Sequence, residues 1–207
     1  MKSAFAIFDI DHTIIKGDSM FLMLLFGIKK KPILLLYTPI IFIKIALYFF
    51  KIIDAKKAKE SIYIPLKFLN TTELEEFYCT VLAKKIYPKM LDIIKTHKDQ
   101  GCHILLVSSS PELYLKFFKK IPHIDEIIGT KLVKIEKKYI NKIYEKNCKG
   151  DEKVRRINQY LKVNNLEIDF DNSYAYSDSL VDKPMLSLAK NKFKINKKDG
   201  SICKLLW

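Results

Sequence analysis

Two aspartates separated by one residue, Asp9 and Asp11, follow an apolar run over residues 4–8. An apolar run of this length between charged residues predicts a short buried strand of a parallel sheet. Ligands of open α/β sheets bind beyond the carboxyl ends of the strands, so a reaction site is expected here. Like charges this close disfavour each other's ionisation, and a bound divalent cation is the simplest compensation. Alternatively, the two aspartates cap a turn and His12 is a solvated loop residue.

Polar side chains also follow two further apolar runs, at residues 103–107 and 173–176. These side chains are Ser108, Ser109, Ser110, Asp178 and Asp182. Sequence with helical periodicity separates the apolar runs, and Lys153 opens the helix expected at 151–163. Strands that alternate with helices predict an α/β fold with a parallel sheet. The polar residues should therefore lie together along one edge of that sheet.

The 207 residues carry a formal net charge of +14, which favours anionic partners: phosphorylated substrates, anionic lipid surfaces or nucleic acid. No nucleic acid is expected, because no recognition motif of interleaved basic and aromatic residues is present. The four cysteines have no paired spacing, which indicates reduced thiols rather than a zinc site or disulfides. The chain enters its first strand within four residues, which leaves no room for a signal peptide and predicts a cytoplasmic protein.

The composition changes abruptly after the first strand. Residues 20–28 are apolar, 29–31 are lysines, and 33–53 are apolar with few interruptions. Residues 33–53 are long enough to cross a membrane, but Lys44 near their middle would cost roughly 2.5–3.5 kcal/mol there. A single crossing would also separate Asp9 from the later polar residues, so no complete crossing is expected. Two interpretations stay open: a helical hairpin packed on itself, or an amphipathic, lysine-rimmed cap at the membrane interface.

Four motifs occur in order along the chain: Asp9-x-Asp11-x-Thr13, Ser108, Gly150-x-x-Lys153 and Asp178-x-x-x-Asp182. Together they resemble the motifs of the haloacid dehalogenase superfamily of phosphohydrolases, and of its phosphoserine-phosphatase-like branch in particular. The resemblance implies a Rossmann-like three-layer core with a parallel sheet, formed by residues 1–16 and 88–207. It also implies an inserted helical cap of the C1 type, residues 17–87.

The resemblance implies a role for each carboxylate. Asp9 would be the nucleophile that forms an aspartyl-phosphate, and Asp11 would be the general acid and base. Mg²⁺ would bind Asp9, the backbone carbonyl of Asp11 and Asp178, a set of oxygen ligands that suits a hard cation. Asp182 would orient the water molecules around that ion.

By the same resemblance, Ser108, Ser109 and Lys153 would hold the oxygens of the phosphoryl group. Some phosphoserine phosphatases place their lysine directly before the glycine of this motif. Lys149 occupies that position here and is therefore the alternative to Lys153.

The substrate is less constrained by the motifs. Phosphoserine phosphatases carry a glutamate soon after the first motif and Gly-Gly after the serine, where this chain has Asp18 and Ser109-Ser110. An amino-acid substrate is therefore disfavoured. The apolar, lysine-rich cap is similar to that of phosphatidylglycerophosphatase C-like hydrolases. We expect a magnesium-dependent phosphomonoesterase for a lipid headgroup phosphate, such as phosphatidylglycerophosphate, peripheral on the cytoplasmic face of the membrane; the alternative is a soluble phosphatase of small phosphorylated metabolites.

Overall fold

The computed structural model describes residues 2–136 and 138–207. The strands are β1 (Lys2–Ser3), β2 (Phe5–Phe8), β3 (His103–Pro111), β4 (Glu126–Thr130), β5 (Leu132–Ile135), β6 (Lys138–Ile143), β7 (Glu167–Ile168), β8 (Tyr174–Ser177), β9 (Asn191–Ile195) and β10 (Ile202–Leu205). The α-helices are α1 (Ser19–Lys30), α2 (Thr38–Phe49), α3 (Ala55–Ile62), α4 (Thr71–Phe77), α5 (Pro88–Asp99), α6 (Glu112–Leu115), α7 (Asp151–Val163) and α8 (Lys183–Leu186).

The main sheet has the strand order β10-β9-β8-β2-β3-β4. All neighbouring pairs are parallel except β9 and β10, which are antiparallel. The first apolar run of the chain, β2, therefore lies between the other two, β3 and β8. This order brings the polar carboxyl ends of the three strands side by side, as the sequence predicts.

Side chains of the central strand alternate between two apolar layers. Phe5 and Ile7 of β2 pack in a cluster with residues of α7 and α8. Phe8 points to the opposite face and packs in a cluster with residues of α5, α6 and the helices between residues 17 and 87. Helices therefore cover both faces of the sheet, and the predicted three-layer α/β core is confirmed.

Some elements depart from a simple alternation of strands and helices. Residues 126–135 divide at Lys131: β4 joins the main sheet, whereas β5 pairs with β6 in a separate hairpin. In the cap, α4 is followed by a π-helical turn, Tyr78–Leu82, and a 3₁₀ turn, Ala83–Lys85. The edge strand β10 was not predicted, because its short, half-exposed sequence has no strong apolar pattern.

The helical segment expected as a cap leaves and rejoins the core at one place. Ile15 and Ile86 form an isolated antiparallel bridge. The backbone N–H of Lys16 donates to the carbonyl of Lys85 (2.8 Å), so both ends of the segment are adjacent. We call residues 17–87 the cap; its boundaries remain a prediction.

Much of the apolar surface of the cap is uncovered. The segment Pro32–Phe49, a 3₁₀ turn followed by α2, has 18 residues and only 11% of it is buried. Leu34 and Ile41 are its buried side chains. By length and composition alone this segment could cross a membrane. Packing of the hairpin on itself therefore leaves most of its apolar side chains exposed.

A buried glutamate connects the cap to the core. Glu60 of α3 accepts hydrogen bonds from the side chain of Lys142 (2.9 Å) and the backbone N–H of Ile143 (3.0 Å), both in β6. The carbonyl of Glu60 accepts a further bond from Asn141 Nδ2 (2.6 Å). Because β6 belongs to the hairpin that extends from the sheet edge, these bonds hold α3 against the core.

Replacement of this glutamate should destabilise the protein measurably. Glu60→Ala leaves the buried N–H of Ile143 without its acceptor, which costs about 1–3 kcal/mol of unfolding free energy. Glu145→Ala is the matched control: Glu145 is exposed and pairs with Arg155 at 3.5 Å, so its removal should cost less than about 0.5 kcal/mol. Urea denaturation measures both variants; equal losses would mean that Glu60 does not hold the cap.

Candidate active site

A tight turn follows β2 and directs two carboxylates to the carboxyl end of the parallel strands. Asp9 follows β2, and its backbone N–H donates to the carbonyl of Tyr176 in β8 (2.9 Å). His12 has a φ of +58°, a left-handed conformation that is uncommon outside glycine. The backbone N–H of Ile14 then donates to the carbonyl of Ile10 (2.9 Å), which closes the turn. The chain is thereby held just beyond β2.

A buried lysine contacts the first aspartate directly. Lys153 Nζ lies 2.6 Å from Asp9 Oδ1 and 2.8 Å from Asp182 Oδ2, and the lysine is 1% exposed. Gly150 precedes α7 with a φ of +58°, where a side chain would strain the backbone. This turn starts the helix so that Lys153 lies in its first turn. Lys149, the alternative, is exposed and lines the cavity near the aspartates.

The second aspartate is held by hydroxyl and backbone donors. Asp11 Oδ2 accepts from Ser108 Oγ (3.1 Å) and Ser110 Oγ (2.8 Å). Asp11 Oδ1 accepts from the backbone N–H of Ser19 (2.7 Å), the first residue of α1. The buried Ser108 therefore contacts Asp11, while Ser109, between the two serines, lines the cavity. Asp11 thus joins β3 to the first cap helix.

Thr13, in the turn after β2, connects Asp178 to Asp9 by hydrogen bonds. The backbone N–H of Asp178 donates to Thr13 Oγ1 (3.0 Å), and that hydroxyl donates to Asp9 Oδ2 (3.4 Å). Lys197 Nζ lies 2.8 Å from Asp178 Oδ2. Sequence reasoning missed Lys197 because it lies beside Lys198 in a lysine-rich segment and carries no motif.

These residues surround a small cavity of about 180 Å³. Its lining includes Asp9, Asp11, Ser109, Lys153, Asp178 and Asp182. A larger cavity of about 400 Å³ lies between β4 and α7 and contains none of these aspartates. The structure therefore brings six of the seven predicted site residues to one cavity. The seventh, Ser108, lies behind it against Asp11.

The electrostatics of the cavity are dominated by burial of like charges. Burial raises the pKa of the Asp9 carboxyl to about 8; the Lys153 ammonium opposes this rise, and the charges of Asp182 and Asp11 add to it. Burial also works against the charge of Lys153, but Asp9 and Asp182 outweigh it and raise the pKa of that ammonium. Lys153 is therefore charged, and the site still holds more negative charge than one lysine compensates.

The donors fit a hard divalent cation. No group of three or more His, Cys, Asp or Glu side chains in residues 2–136 and 138–207 could hold a metal ion. The predicted set needs only the carboxylates of Asp9 and Asp178, because its third ligand is the backbone carbonyl of Asp11. These are all oxygen donors, which Mg²⁺ prefers. The raised pKa of Asp9 shows that its negative charge is poorly compensated, and the contact with Lys197 shows that Asp178 attracts a cation. A bound cation would therefore be stabilised by these two aspartates.

A lysine from the cap also reaches the site. Lys59 Nζ of α3 donates to Ser109 Oγ (3.1 Å) and to Asn147 Oδ1 (3.3 Å). Burial lowers the pKa of Lys59 to about 8; Lys149 adds to this effect, while Asp11 opposes it. Sequence reasoning missed Lys59 because it is one of 37 basic residues and lies in an ordinary amphipathic helix.

Comparison with known proteins places the chain among hydrolases. A family model described as haloacid dehalogenase-like hydrolase matches residues 6–187. A histidinol-phosphatase of Neisseria meningitidis serogroup C (strain 8013) is 27% identical over 138 residues, which span 64% of this chain and 62% of that protein.

Solved structures share the fold. A Bordetella pertussis Tohama I protein of unknown function has a TM-score of 0.81 and 21% identity, over 95% of this chain and 91% of that one. A substrate-bound phosphoserine phosphatase has a TM-score of 0.63 and 15% identity, over 93% and 85% of the two chains. At these identities the two structures support the three-layer fold with its cap.

Proposed function

The chain belongs to the haloacid dehalogenase-like hydrolase family, and on this premise we propose that it is a Mg²⁺-dependent phosphomonoester hydrolase with an aspartyl-phosphate intermediate. One observation carries the proposal: a buried lysine contacts Asp9 at 2.6 Å in a cavity that Asp11 and Asp178 also line. A carboxylate can attack phosphorus, and the adjacent ammonium offsets the charge of the phosphoryl oxygens.

We propose that these side chains act in two steps. An Asp9 oxygen attacks the phosphorus, the P–O bond of the ester breaks, and the proton of Asp11 goes to the leaving oxygen. Water then attacks the aspartyl-phosphate, its proton goes to Asp11, and the new bond to Asp9 breaks to release inorganic phosphate. Lys153 and Ser109 hold phosphoryl oxygens during both steps.

A magnesium ion would be held by Asp9, Asp178 and the backbone carbonyl of Asp11. When bound, Mg²⁺ lowers the pKa of Asp9 and polarises a phosphoryl oxygen. Asp182 accepts from Lys153 and from Ser177 Oγ (2.9 Å), so it positions the lysine. Orientation of metal-bound water by Asp182 remains a prediction.

We propose further that the substrate is a lipid headgroup phosphate, such as phosphatidylglycerophosphate, reached from the cytoplasmic face of the membrane. The exposed apolar cap supports this choice. The cavity of about 180 Å³ also suits a terminal phosphate better than a bulky soluble molecule held entirely inside. A soluble phosphorylated metabolite is the second candidate, because the Neisseria meningitidis relative is a histidinol-phosphatase.

A substrate panel tests the proposal. Phosphate release would be measured from phosphatidylglycerophosphate, lysophosphatidic acid, histidinol phosphate and phosphoserine, with Mg²⁺ or EDTA, and with or without anionic vesicles. We expect Mg²⁺-dependent release, with kcat/KM for phosphatidylglycerophosphate at least tenfold above that for either soluble substrate. The reverse order would reject the lipid substrate, and no release from any compound would reject the hydrolase.

The cap lysine predicts a pH dependence of substrate binding. Lys59 is protonated below its pKa of about 8 and loses its charge as the pH rises through that value. Because the charge attracts an anionic substrate, KM should increase about 3- to 10-fold between pH 7 and pH 9.5. Lys59→Arg keeps its charge and should remove this increase.

The matched control for this experiment is Lys57→Met, which removes an exposed lysine of the same helix. Its KM should follow the wild-type pH profile. KM would be measured with p-nitrophenyl phosphate at each pH, since this soluble substrate does not depend on vesicles. An unchanged profile in Lys59→Arg would show that Lys59 does not act on the substrate.

A further inference from the structure

The cap presents large apolar side chains to solvent along one continuous segment. These include Leu36, Ile40, Phe42, Phe49, Phe50 and Ile52. Phe49 and Phe50 are 76% and 77% exposed, so the fold leaves them almost fully uncovered. We call the exposed apolar side chains of residues 33–52 the cap face. Soluble monomers rarely expose an apolar surface of this kind, which indicates that something covers it.

The charge around the cap face selects the covering partner. Residues 19–53 contain five lysines and no Asp or Glu. Lys30 and Lys31 are tied to Glu76 and Glu73 of α4, each at 2.7 Å, which leaves Lys29, Lys44 and Lys51 around the apolar segment. A second copy of the chain would bring like charges together. An anionic lipid surface instead offers acyl chains to the aromatic side chains and phosphates to the lysines.

We propose that the cap face inserts into the headgroup boundary of an anionic lipid bilayer and docks the protein on that surface. This docking proposal rests on the proposed function in one respect: docking would bring the active site to a lipid phosphate. Tyr37 and Tyr48 lie at the two ends of α2 and are partly exposed, as is typical of aromatic side chains at a membrane interface. The lysines would reach phosphates while their aliphatic stems lie among the apolar groups.

The geometry favours insertion over crossing. The 12 residues of α2 extend about 18 Å at roughly 1.5 Å per residue, which is less than the hydrocarbon core of about 30 Å, so a crossing would need the preceding 3₁₀ turn of Pro32–Phe49 as well. Both neighbouring helices are also held to the rest of the protein. Lys30 of α1 and the following Lys31 pair with α4, and α3 is held through Glu60 and Lys59. The segment therefore lies on one side of the bilayer.

The docked surface is one helix away from the cavity. α2 packs against α3, and α3 carries Lys59 to Ser109 at the cavity. A lipid phosphate at the membrane surface would therefore be close to the residues that hold the phosphoryl group. Docking on the membrane would therefore also bring the active site to its lipid substrate.

Vesicle flotation tests the docking directly. The full chain would be mixed with vesicles of phosphatidylcholine containing phosphatidylglycerol, or of phosphatidylcholine alone. We expect at least tenfold more binding to the anionic vesicles, and at least tenfold weaker binding for the triple variant Phe42→Ser, Phe49→Ser, Phe50→Ser. These three side chains are exposed, so their replacement should leave the fold intact.

A matched control replaces three exposed apolar side chains outside the cap: Val163→Ser, Phe170→Ser and Leu206→Ser. This control should bind vesicles as the wild type does. The charge variant Lys44→Glu, Lys51→Glu should lose the preference for anionic vesicles. Equal binding by the triple variant and the control would overturn the proposal.

Two further measurements separate the remaining outcomes. If the wild type does not bind vesicles and sedimentation equilibrium finds a dimer that the triple variant disperses, the cap face is a self-association surface and the proposal is wrong. Hydrolysis of p-nitrophenyl phosphate without vesicles is measured for every variant. A wild-type protein that hydrolyses p-nitrophenyl phosphate but does not bind anionic vesicles rejects docking alone, whereas a wild-type protein that binds vesicles without hydrolysis supports docking and rejects the proposed enzyme.

Discussion

Asp9→Asn is expected to lower the rate of phosphate release by at least about 10⁴-fold while the protein stays folded. The amide cannot form an acyl phosphate, so the covalent route is closed. The asparagine carbonyl can still accept the hydrogen bond that Asp9 Oδ1 accepts from Lys153 at 2.6 Å. Because burial raises the pKa of Asp9, loss of its charge should have little effect on stability at neutral pH.

The control for Asp9→Asn must remove a carboxylate that lies outside the active site. Asp171 forms a surface pair with Lys190 at 2.9 Å, and both side chains are more than 60% exposed. Asp171→Asn should therefore keep the wild-type kcat and thermal midpoint. Turnover above 1% of wild type in Asp9→Asn, with a normal midpoint, would mean that Asp9 is not the nucleophile.

The sequence predicted the core of the site because local pattern and chemistry agree there. The apolar run before Asp9 could form only a short buried strand, and the polar residues after the other two runs had to meet it at one edge. The parallel sheet with its covering helices then followed from the alternation of elements. The three-layer fold needed no information beyond these patterns and the family resemblance.

The remaining features depend on packing between distant parts of the chain. The contacts of Ser108 with Asp11, and of Lys59 with Ser109, join residues that lie 97 and 50 positions apart. Lys197 reaches Asp178 only because β9 runs beside β8. Such contacts leave no periodic signal in a chain with 37 basic residues, so residue type alone could not distinguish these lysines from solvated ones.

The choice between the two candidate lysines has a thermodynamic consequence. Lys153 is buried between two carboxylates, whereas Lys149 is exposed at the cavity. Lys153→Met removes the buried cation and with it the hydrogen-bond donor to both Asp9 and Asp182, which should cost about 3–5 kcal/mol of unfolding free energy near pH 7.5. Lys149→Met should cost less than about 0.5 kcal/mol, as surface substitutions do. Urea denaturation compares the two variants directly.

The loss in Lys153→Met should also depend on pH. Without the ammonium, the pKa of Asp9 rises further, so the buried carboxyl is protonated at low pH and its burial then costs less. Below pH 8 the Asp9 carboxyl is largely protonated in both proteins, so the stability gap to wild type should change little between pH 5 and pH 7. The gap should widen as the pH rises above 8, where only the wild type ionises Asp9 beside an ammonium. Lys153→Arg keeps a charge against the same carboxylates and should recover part of the stability. If Lys153→Met were as stable as Lys149→Met at every pH, the buried ion pair would not hold the site together.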